Sequence, residues 1–176
     1  GTAFEKPVLS SVVSVMSRSA LRKASTVFFE NEENAQFFLH KNIISAQQMK
    51  VLPGAGINLD EYPYVPMQDD GVCSFLFVGR IMKEKGVDEF FAAAKTIKAE
   101  FGEKVAFDVV GFYEDAYKDT VDQMVADGVI KFHGFQTDVH PFYEAADCVV
   151  LPSYHEGMSN VLLEGAATGR ALITSD

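Results

Sequence analysis

Short apolar runs alternate with longer stretches of helical periodicity along residues 71–176. The runs are too short for helices and predict buried strands, and the stretches between them repeat apolar residues at helical spacing. We predict strands at 73–78, 105–110, 129–133, 149–151 and 171–174, and helices at 87–101, 113–126, 139–146 and 160–169. Apolar strands separated by helices indicate the α/β class, with a doubly wound, Rossmann-like parallel sheet.

Residues 1–58 follow a different pattern, which predicts a separate piece of structure. In this piece we expect helices at 8–24 and 32–40 and strands at 26–30 and 49–52. Residues 59–70 contain prolines and several acids without an apolar period, which predicts a linker. A domain that covers residues 71–176 follows, and its pattern stops at a strand, so we expect it to be truncated at its C-terminus.

Composition places the chain among globular proteins and removes several function classes. Of its 176 residues, 48% are hydrophobic and 23% are charged. No apolar run is long enough for a bilayer, and we see no signal peptide, so a cytoplasmic protein is expected. The net charge of −10 argues against nucleic acid as a partner. Cys73 and Cys148 lie in apolar runs, and we expect two buried free thiols rather than a disulfide or metal pair.

The predicted topology brings two polar loops to one edge of the sheet. In a doubly wound sheet, ligands bind at the carboxyl ends of the strands, where the strand order reverses. The first and fourth predicted strands flank this point, and they are followed by Gly79-Arg80 and by the loop that contains Glu156. Arg80 can grip a phosphate with two parallel donors, and Lys85 adds a second charge near a helix start. A solvated basic loop is the alternative for these two residues.

Two glutamates separated by seven residues, Glu156 and Glu164, follow the fourth predicted strand. Ser159 or Asn160 is the predicted N-cap of the next helix, which places Glu156 on the loop and Glu164 inside an otherwise apolar helix. We expect that helix to be largely buried. A carboxylate in such a helix needs a polar partner or water. The alternatives are an ordinary loop acid for Glu156 and an early-helix acid that faces water for Glu164.

These residues make the chain resemble the retaining glycosyltransferases of the two-domain GT-B fold. The family is glycosyltransferase family four, also called glycosyl transferases group 1, which includes relatives of sucrose and glycogen synthases. Glu156 and Glu164 resemble its Glu-x7-Glu signature. Gly79-Arg80, with Lys85 further on, resembles its diphosphate motif. The likeness is to the C-terminal, nucleotide-sugar-binding half of such enzymes.

Two further segments complete the pattern, in the family's order. Residues 51–58 resemble its Pro-Gly-Gly-Val-Asp interdomain motif, with Ala55 and Asn58 in place of the usual glycine and aspartate. Residues 132–135 resemble its nucleobase loop. The resemblance implies that 1–58 is a remnant of the N-terminal, acceptor-side domain, that 59–70 joins the domains, and that 71–176 binds the nucleotide sugar.

The resemblance also implies roles for individual residues. Arg80 and Lys85 stabilise the departing nucleotide diphosphate, Glu156 contacts the donor sugar, and Glu164 accepts the ribose hydroxyls. The implied catalytic residues are Arg80, Lys85 and Glu156. The implied donor-binding residues are Gly79, Arg80, Lys85, His133, Gly134, Phe135, Glu156, Gly157, Met158, Ser159, Asn160 and Glu164. No metal ligand is predicted, since positive side chains and helix ends replace the charge of a metal. His40 and His140 show no partner pattern and receive no role.

The expected activity is transfer of a sugar from a UDP-, GDP- or ADP-sugar to an acceptor hydroxyl with retention, in cell-surface polysaccharide or glycan biosynthesis. The nucleotide sugar is a substrate, and no permanently bound cofactor is expected. The acceptor is a glycan or a lipid-linked glycan, which is compatible with peripheral association of the full-length enzyme with the inner face of a membrane. The chain alone is expected to be inactive and to self-associate through an open sheet edge.

Three other functions are rivals to a glycosyltransferase. A nicotinamide-binding Rossmann domain requires Gly-x-Gly-x-x-Gly after its first strand, and residues 79–84 do not supply it. A sugar-nucleotide epimerase or a phosphorylase of the same fold remains an alternative. A nucleotide-sugar-binding module without catalysis remains another, and turnover by the full-length protein separates it from an enzyme.

Overall fold

The computed structural model describes residues 7–52, 54 and 56–175 and divides the chain into two compact units, residues 1–56 and 57–176. Pro53 and Ala55 of the predicted interdomain motif lie outside the described residues. The first unit contains α1 (Pro7–Leu21), β1 (Val27–Phe29), α2 (Glu32–His40) and β2 (Met49–Val51).

The first unit is built around one strand–helix–strand crossover. The side chain of Asn31 caps α2 by accepting a hydrogen bond from the backbone of Asn34, at 2.8 Å. Strands β1 and β2 pair with each other in parallel. A small buried core lies between them and the helix, formed by Phe29, Ala35, Ile43 and Ile44. Along one edge, each of the two predicted strands therefore supplies the backbone hydrogen-bond partners of the other.

The second unit is a five-stranded parallel sheet with helices between its strands. Its elements are β3 (Cys73–Val78), α3 (Val87–Phe101), β4 (Val105–Val110), α4 (Lys118–Ala126), β5 (Lys131–Phe132), α5 (His140–Ala145), β6 (Cys148–Leu151), α6 (Asn160–Thr168) and β7 (Ala171–Thr174). The strand order is β5-β4-β3-β6-β7. The chain moves outward through β4 and β5 and returns to the other side of β3, so the order reverses between β3 and β6. The predicted fold class is confirmed.

Alternate residues of the strands pack on opposite faces of this sheet. In β4, Phe107 and Val109 join the larger core, which includes Val121 and Met124 of α4. Val110 belongs to the core of the other face. This alternation is what a sheet covered on both faces requires, because successive side chains of a strand point in opposite directions.

Three local predictions were wrong. Cys73 is exposed, because it is the first residue of β3 at the rim of the sheet, whereas Cys148 is buried. Helix α4 begins at Lys118, because a backbone bridge to Ile81 holds Tyr113 extended and Asp115–Tyr117 form a 3-10 turn before the helix. Helix α6 is only half-buried along most of its length, and Ala166 is exposed. Within the described ranges, no helix combines the length and apolarity that crossing a membrane requires.

Candidate functional site

Glycines follow three neighbouring strands at the carboxyl edge of the sheet. The backbone of Gly79, after β3, donates to the carbonyl of Val110, and that of Gly111, after β4, donates to the carbonyl of Gly134, both at 2.9 Å. A Cβ on Gly111 would lie 1.9 Å from the carbonyl oxygen of Gly79. The three loops therefore meet backbone to backbone, which leaves a rim without side chains on which a ligand can rest.

The loop after β3 also approaches the end of β6 closely. Lys83–Lys85 form a 3-10 turn that ends at Gly86, whose φ of 68° is left-handed. A Cβ on Gly86 would lie 1.9 Å from the carbonyl oxygen of Pro152. Only glycine fits this position, and the start of α3 is thereby held against the loop that carries Glu156.

Hydrogen bonds join these two loops. The carbonyl of Glu84 accepts from the hydroxyl of Ser153 at 3.0 Å and from the backbone of Tyr154 at 2.9 Å. Ser153 is buried. The hydroxyl of Tyr154 donates to the carboxylate of Glu89 on α3. The loops after β3 and β6 thus form one unit across the reversal of strand order.

This unit places Lys85 in direct contact with Glu156. The ammonium of Lys85 lies 2.5 Å from Oε1 of Glu156, and the two side chains are 24% and 25% exposed. A partly buried pair of this kind is screened less than a pair on the open surface. The sequence placed both residues at this edge, and the structure adds that they form an ion pair.

Arg80 lies beside this unit without a partner. It is exposed, and across residues 7–52, 54 and 56–175 no hydrogen bond or ion pair engages its guanidinium. A guanidinium is a rigid fork of donors that suits a phosphate. Arg80 is therefore a cation that is available to a ligand at the reversal of strand order.

The predicted nucleobase loop is fixed by a pair that the sequence did not reveal. Nε2 of His133 lies 2.6 Å from Oδ1 of Asp108 on β4. The carbonyl of His133 accepts from the side chain of Gln136 at 2.7 Å. Phe135 remains 67% exposed beside this loop. The sequence signal for this pair was Asp108, a carboxylate within the apolar strand β4. A carboxylate in such a strand needs a polar partner.

The start of α6 follows the prediction closely. Ser159 is the N-cap, and its hydroxyl accepts from the backbone of Leu162 at 3.5 Å. The residues around it, Gly157, Met158 and Asn160, are exposed. A helix start of this kind presents unpaired backbone N–H groups, which favour a phosphate or a sugar hydroxyl.

Glu164 lies one turn into α6, where it meets α5. The hydroxyl of Tyr143 donates to Oε2 of Glu164 at 2.7 Å, and Tyr143 is completely buried. Burial raises the pKa of the Tyr143 hydroxyl far above its ordinary value, and the hydrogen bond and charge of Glu164 raise it further. Tyr143 is therefore a permanent neutral donor to this carboxylate. The sequence predicted that Glu164 needs a polar partner, but it did not identify Tyr143 as that partner.

The predicted site residues thus form two contact groups rather than one. Lys85 and Glu156 touch each other, but within the described part of the chain no hydrogen bond or ion pair joins Glu164 to either of them. A single ligand that contacts both groups must therefore bridge them. No group of three or more His, Cys, Asp or Glu residues suited to a metal is found among the described residues.

A shallow pocket lies at the opposite edge of the sheet. It is lined by Val72, Lys98, Glu103 and Lys131 at the amino ends of the strands, among other residues. The ammonium of Lys98 already donates to the carbonyl of Val105 at 3.0 Å. Because ligands of doubly wound sheets bind at the carboxyl edge, we assign this pocket no function.

The chain is similar in sequence to a curated glycosyltransferase. The N,N'-diacetylbacillosaminyl-diphospho-undecaprenol alpha-1,3-N-acetylgalactosaminyltransferase of Campylobacter jejuni is 25% identical over 185 residues, covering 98% of this chain and 48% of that protein. The chain therefore spans about half the length of this relative.

Solved structures show the same fold. Anabaena Alr3699/HepE in complex with UDP and glucose gives a TM-score of 0.68 at 20% identity, covering 92% of this chain and 48% of that one. The C-terminal domain of a glycosyl transferase group 1 family protein, LpcC from Francisella tularensis, gives a TM-score of 0.56 at 26% identity, covering 68% of this chain and 70% of that one.

A family model matches the segment that forms this site. It is described as glycosyl transferases group 1, and it matches residues 73–176. That segment contains every strand of the five-stranded sheet, both glutamates and the Lys85–Glu156 pair. Since the match covers more than half of the chain and all of the carboxyl edge, we conclude that this chain belongs to the glycosyl transferases group 1 family.

Proposed function

We propose that residues 71–176 form the nucleotide-sugar-binding part of a retaining glycosyltransferase, joined by 59–70 to an acceptor-side domain to which 1–58 belong. The whole protein transfers a sugar from a UDP-, GDP- or ADP-sugar to a hydroxyl of a glycan or lipid-linked acceptor. The observation that carries the proposal is the Lys85–Glu156 pair at the reversal of strand order, beside Arg80, which has no partner in the described part of the chain.

In this proposal the cations bind the diphosphate. Arg80 donates two parallel hydrogen bonds to phosphate oxygens, and Lys85 adds a compact charge next to them. When the bond between the sugar and the diphosphate breaks, negative charge grows on the leaving oxygen. Fixed positive groups stabilise that charge in the transition state more than in the ground state, which accelerates the transfer. These groups carry out the charge stabilisation for which other transferases use a divalent metal.

Glu156 and Lys85 have a shared function at the sugar end. As a carboxylate, Glu156 accepts hydrogen bonds only, so it suits the hydroxyls of the donor sugar. Its pairing with Lys85 fixes its orientation before the donor arrives. The N–H groups at the start of α6, next to the exposed Gly157 and Met158, supply further donors to the sugar or the phosphate.

The nucleoside part of the donor contacts Glu164 and the loop that contains His133. Glu164 accepts the ribose hydroxyls, and the loop of His133, Gly134 and Phe135 holds the base against the glycine rim. The His133–Asp108 pair keeps that loop in place. Arg80 and Glu164 thus hold opposite ends of one nucleotide diphosphate.

The named relatives support the setting that we propose. One acts on an undecaprenol-linked diphosphate sugar by its name, and another is a lipopolysaccharide core biosynthesis glycosyltransferase of Rhizobium meliloti. We therefore propose that this protein acts in cell-surface glycan synthesis at the inner face of a membrane, with which it associates peripherally.

A donor panel with the full-length protein tests the proposal. UDP-, GDP- and ADP-sugars are compared by calorimetry, and transfer is followed with a chelator present. We expect one nucleotide class to bind, transfer to continue in chelator, and the product to keep the donor's anomeric configuration by NMR. Binding without turnover on any glycan or lipid-linked acceptor would instead indicate a non-catalytic module, and binding of none of these donors would overturn the proposal.

A further inference from the structure

The carboxylate of Glu164 is held from inside the protein. Tyr143 is 0% exposed and lies in the core between α5 and the sheet, with Leu76 and Val149. From there its hydroxyl reaches Oε2 of Glu164 at 2.7 Å. A tyrosine ring packed in a core has little rotational freedom, so the direction of this hydrogen bond fixes the plane of the carboxylate.

The backbone of α6 is equally constrained. A Cβ on Gly165 would lie 2.7 Å from Cγ2 of Val149 on β6. The glycine lets the helix lie directly on the strand, next to Glu164. Glu164 therefore has a fixed backbone as well as a fixed carboxylate.

A second tyrosine packs against Tyr143. Tyr62, in the segment before β3, has its ring 6.1 Å from that of Tyr143 at 76°, and it stacks on His140 at 4.5 Å. Burial raises the pKa of the Tyr62 hydroxyl, and the charge of Glu164 raises it further.

The segment that carries Tyr62 is tied to the sheet domain. The backbone of Val65 donates to the carbonyl of Thr168 at 3.1 Å, and the buried guanidinium of Arg170 donates to the carbonyl of Val65. The ring of Tyr64 lies where a Cβ on Gly169 would be, at 2.5 Å. Tyr62 is thus placed by several contacts of its neighbours with the end of α6.

We propose that Tyr143 is a positioning residue for nucleotide recognition, which aims the carboxylate of Glu164 at the ribose, and that Tyr62 packs against the ring of Tyr143. This inference rests on the role of Glu164 in the proposed function. A carboxylate offers two oxygens with about four acceptor directions. Tyr143 occupies one of these on Oε2, and the remaining directions accept the two ribose hydroxyls. The discrimination between a ribose and a sugar without hydroxyls therefore depends on a side chain that touches no nucleotide.

The test compares each of UDP, GDP and ADP with its 2′,3′-dideoxy counterpart, by calorimetry on the full-length protein. Wild type is expected to prefer the ribonucleotide. Tyr143→Phe keeps the ring and removes the hydroxyl, and we expect it to weaken ribonucleotide binding about tenfold. The affinity for the dideoxy counterpart should stay unchanged, so the ratio of the two affinities, which measures the preference, should fall.

Tyr117→Phe is the matched control. The hydroxyl of Tyr117 donates to the carboxylate of Asp88 at 3.2 Å, on the opposite face of the sheet. Its removal deletes a hydrogen bond of the same kind and should leave the preference unchanged. Glu164→Gln provides the second variant, and in its background Tyr143→Phe should have little further effect on the preference.

Each result has a distinct meaning. A Tyr143→Phe protein that loses affinity for both nucleotides equally would show a merely structural tyrosine and overturn the inference, as would an unchanged preference. If wild type binds the ribonucleotide and the dideoxynucleotide with equal affinity, Glu164 does not recognise the ribose hydroxyls. This result would overturn the inference, while the rest of the proposed function stands. Wild type that binds no nucleotide would overturn the proposed function itself, and the inference with it.

Discussion

Lys85 and Glu156 form an ion pair of 2.5 Å although they are 71 positions apart in the chain. They come from the loops after β3 and β6, which are neighbouring parallel strands. The contact exists because Gly86 allows the start of α3 to touch Pro152 and because Ser153 and Tyr154 both bond to the carbonyl of Glu84. Packing of the two loops therefore creates the charge arrangement of the proposed site.

The first prediction concerns this pair. In the proposed function, Lys85→Met removes a cation that stabilises the leaving diphosphate, and we expect kcat to fall about 10²- to 10³-fold. The control is Lys118→Met, which breaks an exposed pair with Asp122 of the same 2.5 Å length on α4. That variant should keep full activity and lose little stability, because solvent screens an exposed pair. Steady-state kinetics and urea unfolding give both quantities, and equal kinetics in the two variants would contradict the role of Lys85.

The second prediction concerns Arg80. Arg80→Ala should weaken nucleotide diphosphate binding by about 1.5–3 kcal/mol, since it removes a charged donor to the phosphates. Its unfolding free energy should be unchanged, because the guanidinium has no partner among the described residues. Lys131→Ala is the control for net charge, since Lys131 is an exposed residue of β5 away from the carboxyl edge. Calorimetry that finds wild-type affinity in Arg80→Ala would refute the assignment.

The sheet was predictable from sequence because strands buried on both faces consist of short apolar runs. The position of Arg80 and Glu156 at one edge followed from strand order alone. The contact between Lys85 and Glu156 did not follow, since it depends on the separation of two loops. That separation is set by the approach of Gly86 to Pro152.

The sequence pattern did not identify the partners of half-buried polar groups. Asp108 in an apolar strand and Glu164 in an apolar helix both indicated that a partner exists. Their partners, His133 and Tyr143, lie 25 and 21 positions away on other elements. Periodicity describes one element at a time, so it cannot name a residue on a neighbouring one.

The third prediction concerns pH. A hydrogen bond with Asp138 raises the pKa of His140 above its usual 6.5, and the same bond lowers the pKa of Asp138 below its usual 3.8. The contribution of His140 to stability is therefore complete below pH 6.5 and is lost as the pH rises through its folded value. The contribution of Asp138 is present above pH 3.8 and is lost as the pH falls through its folded value.

NMR titration of His140 measures this effect. In Asp138→Asn its pKa should move down toward the ordinary value, and the stability difference from wild type should shrink as the pH rises above the folded pKa of His140. Without Asp138, burial lowers the pKa of His140, while the backbone of Glu61 and the carboxylate of Glu164 still raise it. An unchanged titration in Asp138→Asn would show that another group causes the shift.

The fourth prediction separates backbone strain from steric fit in the loop that carries Lys85. Gly86 and Gly128 share a φ of 68°, but a Cβ would meet the carbonyl of Pro152 at 1.9 Å in the first and nothing within 4 Å in the second. Gly128→Ala should therefore cost only the strain, roughly 1–2 kcal/mol of unfolding free energy. Gly86→Ala should cost about 1–3 kcal/mol more, because the two loops must separate. That separation also pulls Lys85 from Glu156, so nucleotide affinity should fall in Gly86→Ala alone. Urea unfolding and calorimetry measure both effects, and equal losses in the two variants would show that the contact with Pro152 does not position this pair.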